Sequence, residues 1–83
     1  MNIAFKRSAE KDLRKINRPY IDNILQKIES LADDPHPPNS KKLVGTERSY
    51  RIRVQDYRVI YQIDTDNDII IIYHIRHRQE AYQ

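Results

Sequence analysis

Residues 49–63 read SYRIRVQDYRVIYQI, and this stretch decides the fold that the chain can adopt. From Ser49 to Gln55, apolar and aromatic side chains alternate with arginines, which is the period-two pattern of a strand with one apolar face. A second strand is predicted from Tyr57 to Ile63. With Gln55 and Asp56 as the turn, the two strands form an antiparallel hairpin.

The two-residue turn also predicts the register of this hairpin. Its apolar pairs share one face: Val54 with Tyr57, Ile52 with Val59, and Tyr50 with Tyr61. On the opposite face Arg53 lies beside Arg58, and Arg51 lies two residues along. Like charges directly opposite each other destabilise a sheet, so the arrangement favours a functional site.

These arginines predict an anion site. Planar guanidinium groups on a rigid hairpin suit a phosphate or a phosphodiester, because each can donate two parallel hydrogen bonds to anionic oxygens. The alternative is an ordinary solvated sheet face, on which alternating basic residues are common.

The first half of the chain predicts a short strand and two helices. Asn2 to Lys6 alternates like a strand, and Ser8 is placed to cap a first helix that runs to Ile16. A second helix follows the break at residues 17–19, with its apolar residues at helical spacing from Ile21 to Ala32.

The proline-rich segment 33–40 ends the second helix, because consecutive prolines lack amide donors. Beyond the hairpin, residues 64–68 form a polar turn, and the apolar run 69–75 predicts a strand covered on both faces. Residues 76–83 are predicted as a short polar tail.

The predicted fold class is therefore α+β. An N-terminal strand and a helical hairpin precede a three-stranded antiparallel meander, and the helices pack on one face of the sheet. We interpret residues 1–83 as one domain, since this length suffices for a single compact core.

The composition excludes several classes of protein. A net charge of +3 favours anionic partners, and the absence of cysteine excludes disulfide frameworks, thiolate zinc sites and cysteine nucleophiles. The longest apolar run, Ile69 to Tyr73, is five residues, far below the roughly 20 that a membrane span needs. The absence of cysteine and of a membrane span leads us to expect a cytoplasmic protein without a membrane partner. No spacing of His, Asp and Glu suggests a metal site, and we expect neither a metal nor a cofactor.

The histidines and the C-terminal residues have weaker patterns. His77, Arg78 and Tyr82 follow the predicted central strand, from which side chains can reach a neighbouring sheet face. His77 could titrate near neutral pH, although a solvated role is the alternative for His77 and Tyr82. His36 is interpreted as structural, and His74 as a hydrogen-bonded core residue.

Over nearly its whole length the chain resembles the RelE/ParE superfamily of toxins from type II toxin-antitoxin systems. The segments that carry the resemblance are Ala9-Glu10-Lys11-Asp12-Leu13, Asp34-Pro35, Lys42-Leu43-Val44-Gly45, Tyr50-Arg51-Ile52-Arg53-Val54, Asp56-Tyr57-Arg58-Val59-Ile60-Tyr61 and His77-Arg78-Gln79-Glu80-Ala81-Tyr82. The resemblance implies the RelE-like microbial ribonuclease fold.

RelE-type members cleave messenger RNA in the ribosomal A site, by attack of a ribose 2′-hydroxyl on the adjacent phosphate and without a metal. By position, Arg58 corresponds to the arginine that binds the scissile phosphate, and Arg78 to the one that stabilises or protonates the leaving group. Tyr82 corresponds to the C-terminal tyrosine that stacks on or orients the nucleotide. Arg51 and Arg53 take the positions of two lysines, one of which is proposed as general base.

An arginine stays protonated at any working pH, so Arg51 and Arg53 are poor proton acceptors. Our hypothesis is that both residues, with Arg58, stabilise a pentacovalent phosphorane, while His77 or Tyr82 takes the proton of the nucleophile.

The resemblance leaves two alternatives open. The ParE branch poisons DNA gyrase on the same fold, and the arginine face could instead serve only to dock an acidic antitoxin. The joint presence of Arg58, Arg78 and Tyr82 favours the ribonuclease. In every case the resemblance implies a cognate antitoxin as partner, and contact with operator DNA only through that antitoxin.

Overall fold

The computed structural model describes residues 1–78, and within them two helices pack against a five-stranded sheet. The helices are α1 (Arg7–Arg14) and α2 (Arg18–Ser30). The strands are β1 (Asn2–Phe5), β2 (Lys41–Lys42), β3 (Ser49–Val54), β4 (Tyr57–Asp64) and β5 (Ile69–His77).

The strand order is β1-β5-β4-β3-β2. β1 runs parallel to β5, with Asn2 paired to Ile69 and Phe5 to Ile72, and the other pairs are antiparallel. The predicted α+β class and the order of strand, helical hairpin and meander are confirmed.

β2 was not predicted. Two lysines carry no apolar alternation, so no pattern indicated a strand there. β2 forms because the chain, after the proline-rich segment, returns along the free edge of β3, where Lys41 pairs with Arg51 and Lys42 with Tyr50.

Pro19 lies in the first turn of α2, as expected for a residue that lacks an amide proton.

The core lies between the helices and one face of the sheet. Burial of each isoleucine, leucine or valine side chain there stabilises the fold by about 1.5–3 kcal/mol. The buried hydrophobic residues of this core are Ala9, Ile16, Ile24, Ile28, Leu31, Ile52, Val59, Tyr61, Ile63, Ile70, Ile72 and Ile75.

Tyr61 is the one buried aromatic residue among the residues described. Its hydroxyl donates a hydrogen bond of 2.9 Å to the carbonyl oxygen of Pro35, which ties the proline-rich segment to the centre of the sheet. Burial raises the pKa of the Tyr61 phenol, because the charged form loses its solvation there.

α1 covers the edge of β5 beyond the end of β1. The Ile75 amide donates to Asp12 Oδ2 at 3.0 Å, and the Ser8 hydroxyl donates to the Tyr73 carbonyl oxygen at 2.6 Å. The prediction that Ser8 caps α1 is wrong: Lys6 occupies the N-cap position, and Ser8 lies within the first turn. Ser8 instead satisfies a carbonyl group that would otherwise be unpaired at the strand edge.

A β-bulge at Tyr73 reverses the alternation of β5. Before the bulge Ile72 pairs with Tyr61, and after it His74 pairs with Ile60, so that Tyr73 is the extra residue. Ile70 and Ile72 are buried, and beyond the bulge the buried position moves to Ile75.

Because of this shift, His74 and Arg76 lie on the sheet face opposite the helices. The expectation that His74 is hydrogen-bonded is confirmed, since its Nδ1 lies 3.3 Å from Asp12 Oδ2. Its expected place in the core is wrong, because its side chain remains 33% exposed.

No helix in the part of the chain that the structure describes has the length and apolar content needed to cross a bilayer.

Candidate functional site: the arginine surface

The β3–β4 hairpin has the predicted register. Val54 pairs with Tyr57, Ile52 with Val59, and Arg53 lies directly beside Arg58. The turn residues are Gln55 and Asp56, as expected. Since successive side chains of a strand point to opposite faces, Arg51, Arg53 and Arg58 lie on the face opposite the helices.

A fourth arginine joins this face from β5. Arg76 pairs with Arg58, so that Arg53, Arg58 and Arg76 form one row across three adjacent strands. Together with Arg51 these residues are called the arginine surface below. Arg76 was missed because it was assigned to a polar tail, and no sequence signal indicated the bulge that turns it to this side.

A cavity of about 260 Å³ opens over the β3 part of the arginine surface. Its lining includes Lys41 of β2, a second cation that the sequence did not single out, and no acidic side chain. The residues that line it are Asn39, Lys41, Arg51, Ile52, Arg53 and Arg58. Closely spaced cations on a sheet create a positive potential that attracts phosphate groups.

The side chain of Arg53 is oriented by the hairpin turn. Its Nε donates a hydrogen bond of 2.8 Å to the Gln55 carbonyl oxygen, and its Nη2 lies 3.8 Å from Asp56 Oδ1. Both side chains of this ion pair are more than half exposed, at 58% and 60%, so the pair adds little stability. The Nε bond therefore fixes the side chain, and the rest of the guanidinium group remains at the surface.

Arg78 lies beside the same turn. Its backbone amide donates a hydrogen bond of 2.7 Å to the Asp56 carbonyl oxygen, and its side chain is exposed. The backbone of Arg78 is thus close to the end of the hairpin where Arg53 and Arg58 pair. Tyr82 lies outside the described residues.

His77 lies on the other face of the sheet, and the expectation that it could join the arginines is wrong. It pairs with Tyr57, and the two rings meet edge-on with their centroids 5.3 Å apart. With Asp12, Lys15 and Ile16 of the α1 region it lines a separate cavity of about 90 Å³. The bulge at Tyr73 is the physical reason, because it turns Arg76 outward and His77 toward the helices.

The arginine surface can hold an anion and stabilise negative charge. It cannot accept a proton, because guanidinium groups stay protonated. Within residues 1–78, no three His, Asp or Glu side chains come together as a set of metal ligands.

Comparisons with known proteins agree with this architecture. Residues 3–82 match the family described as the ParE toxin of type II toxin-antitoxin systems, parDE. RelE1 of Methanocaldococcus jannaschii, which is classed as a toxin by inference, is 32% identical over 85 residues, covering 99% of this chain and 94% of the relative.

Solved structures give the same result. The RelB-RelE antitoxin-toxin complex from Methanococcus jannaschii has 27% identity and a TM-score of 0.79 over 95% of this chain and 94% of its counterpart. The archaeal RelE-RelB complex from Pyrococcus horikoshii OT3 has 27% identity and a TM-score of 0.81 over 93% of each chain. The chain therefore belongs to the RelE/ParE superfamily of toxins from type II toxin-antitoxin systems.

Proposed function

We propose that this toxin is an endoribonuclease that cleaves messenger RNA in the ribosomal A site, without a metal, and so inhibits translation. The observation that carries the proposal is the row of Arg53, Arg58 and Arg76 with Arg51 beside it. A fold that needed this face only for stability would not pair arginines across adjacent strands, because like charges opposite each other destabilise a sheet.

In the proposed reaction the ribose 2′-oxygen forms a bond to the adjacent phosphorus, and the bond from phosphorus to the 5′-oxygen breaks. The products are a cyclic phosphate and a 5′-hydroxyl. Arg51, Arg53 and Arg58 hold the phosphate oxygens, whose negative charge grows as the phosphorane forms. Arg78, exposed beside the turn, stabilises the negative charge on the leaving 5′-oxygen, which takes its proton from water to give the 5′-hydroxyl.

The proton of the 2′-hydroxyl needs an acceptor other than an arginine. Of the two candidates, His77 and Tyr82, the position of His77 beside Tyr57 on the helix side of the sheet disfavours it. We therefore propose that Tyr82 takes this proton in its phenolate form, because the neutral phenol is a poor proton acceptor. Tyr82→Phe should slow cleavage while leaving RNA affinity nearly unchanged, whereas His77→Gln should leave the pH-rate profile unaltered.

We also propose a cognate antitoxin as partner, through which the toxin contacts operator DNA. The support is that the archaeal neighbours were solved as complexes of RelE with RelB. A helical antitoxin segment with acidic side chains would complement the net charge of +3.

Gyrase inhibition is the second candidate, because the matching family is described by the name ParE. The two functions stop different processes, so the deciding experiment measures translation and DNA replication separately after induction of the toxin. Ribonuclease activity stops translation first, and gyrase poisoning stops replication first.

The same experiment includes the variants Arg58→Gln and Arg78→Gln. Each should abolish growth arrest and the appearance of new 5′ ends in translated messages. The matched control is Arg18→Gln, which removes an equal charge from the exposed start of α2 on the opposite face and should stay toxic. Full toxicity of both test variants, or arrest of replication before translation, would overturn the proposal.

A further inference from the structure

We propose that Asn39 makes the site selective for RNA over DNA, by accepting a hydrogen bond from the 2′-hydroxyl of a ribose that flanks the cleaved bond. This inference rests on the proposed function, since it places RNA in the cavity over β3.

The lining of this cavity offers many donors and a single acceptor. Every charged side chain described in the lining is a lysine or an arginine, which can donate hydrogen bonds but cannot accept them. Ile52 is apolar. Among the described residues of the lining, Asn39 alone has a side chain that can also accept, through Oδ1. A complementary ligand therefore carries anionic oxygens and, beside them, one hydrogen-bond donor.

The side-chain amide of Asn39 has a fixed orientation. Its Nδ2 donates a hydrogen bond of 3.3 Å to the carbonyl oxygen of Arg53. Because that carbonyl can only accept, the amide cannot turn its own oxygen toward Arg53. No residue within 1–78 donates to Asn39 Oδ1. This oxygen is therefore available to a ligand of the cavity.

The proline-rich segment holds Asn39 in place. Pro38 and Asn39 are the central residues of a turn, which the Ser40 amide closes with a hydrogen bond of 2.9 Å to the Pro37 carbonyl oxygen. The Ser40 hydroxyl donates to the same oxygen at 2.8 Å, and Pro37 is buried. Proline suits the first central position of such a turn, because its ring fixes φ. The segment thus presents a preformed acceptor that loses little entropy on binding.

An RNA strand supplies the required groups in any sequence. Its phosphates are anionic acceptors, and each ribose adds a 2′-hydroxyl donor close to a phosphate. Lys41, which the proposed reaction does not use, pairs with Arg51 and extends the cationic lining toward a neighbouring phosphate. The ribose between the two phosphates then lies beside Asn39. DNA has the phosphates but not the hydroxyl, so its binding leaves Oδ1 without this bond.

The experiment compares two uridine-only oligonucleotides by fluorescence anisotropy, one with 2′-hydroxyl groups and one with 2′-fluoro groups. Fluorine retains the RNA-like sugar but cannot donate a hydrogen bond, and uracil has no exocyclic amino group. The wild type should bind the hydroxyl form about fivefold more tightly, as expected for one hydrogen bond. Asn39→Ala should bind both forms equally, and about as tightly as the wild type binds the fluoro form.

Two further variants serve as controls. Asn39→Asp presents an oxygen in either orientation of its side chain and adds a negative charge to the cavity. It should weaken binding of both oligonucleotides but retain the preference for the hydroxyl form. Asn23→Ala removes the same side chain from the exposed surface of α2, and it should change either affinity by less than about twofold.

A preference that persists in Asn39→Ala, or that disappears in Asn39→Asp, would overturn the inference. An effect of Asn39→Ala only on adenine-containing RNA would also overturn it, because the donor would then be a base amino group. If the wild type binds the two forms equally, or binds neither but cuts translated messages, the inference falls and the ribonuclease proposal stands. If the wild type neither binds RNA nor cuts translated messages, both proposals fall.

Discussion

Gln55 adopts a φ of 56° in the turn between β3 and β4, a left-handed conformation that L-residues reach at a cost of roughly 1–2 kcal/mol. This residue sets the reversal that brings Arg53 beside Arg58. We predict that Gln55→Gly stabilises the protein by about 0.5–1 kcal/mol, since removal of the strain outweighs the added chain entropy. Urea unfolding measures the change.

The control for this prediction is the next residue. Among the residues described, Asp56 is not one of those with positive φ, so Asp56→Gly should give no stabilisation. Gln55→Pro should strongly destabilise the fold, because the proline ring fixes φ near −65°. Equal stability of all three variants would contradict the assignment of strain to Gln55.

Tyr61 predicts a loss of stability in alkali. Burial raises the pKa of its phenol, so the folded protein holds this proton more tightly than the unfolded chain. The stabilisation is complete below the ordinary value near 10 and falls as the pH rises above it. Unfolding free energies measured near pH 7 and at about pH 11 should show a smaller drop in Tyr61→Phe than in the wild type.

The same variant should be about 1 kcal/mol less stable near pH 7, because the partly buried carbonyl of Pro35 loses its donor. An alkaline drop in Tyr61→Phe as large as in the wild type would show that other groups cause it.

At the scale of elements, α1 acts as a cover for the edge of β5. Ser8→Ala should destabilise the protein by about 1 kcal/mol and speed amide exchange along β5, because the Tyr73 carbonyl loses its hydrogen bond. Ser30→Ala is the matched control: its hydroxyl bonds only the exposed Lys27 carbonyl of its own helix. Exchange rates that change equally in both variants would refute a specific role for Ser8.

The elements also show how far the sequence predicts this fold. The hairpin register could be predicted because a two-residue turn and a strict apolar alternation together permit one pairing. The side on which Arg76 and His77 lie could not. The run from Ile69 to Ile75 is apolar at nearly every position, so its pattern does not distinguish the two faces, and the bulge at Tyr73 leaves no mark in it.

The resemblance to known toxins supplied the expected roles of Arg58, Arg78 and Tyr82, and the structure supplied the surroundings of Arg58 and Arg78. Lys41 escaped attention because its strand exists only through tertiary pairing with β3. Edge contacts of this kind depend on where the chain returns in space, which local residue patterns do not record.

At the scale of the whole molecule, the sheet separates the residues that stabilise the fold from those that we propose bind RNA. The helices and the core occupy one face, and the arginine surface occupies the other. Ile28→Ala should therefore cost about 2–5 kcal/mol of unfolding free energy, a large part of the total for a chain of 83 residues.

The RNA affinity of the folded fraction of Ile28→Ala should equal that of the wild type, as measured by anisotropy below the unfolding transition. Ile28→Val, which leaves a smaller cavity, should lose only about 0.5–1.5 kcal/mol. An affinity that fell in proportion to stability across the two variants would mean that the faces are coupled.

The parallel pairing of β1 with β5 joins the start of the chain to a strand near its end, so the sheet cannot be completed before that strand has been synthesised. Residues 2–5 hydrogen-bond to residues 69–72, and the strand that holds them also holds β4 and presents Arg76. A chain whose synthesis stops before Ile69 lacks β5, the strand that joins β1 to β4. Interrupted synthesis should thus leave a chain that cannot complete its sheet.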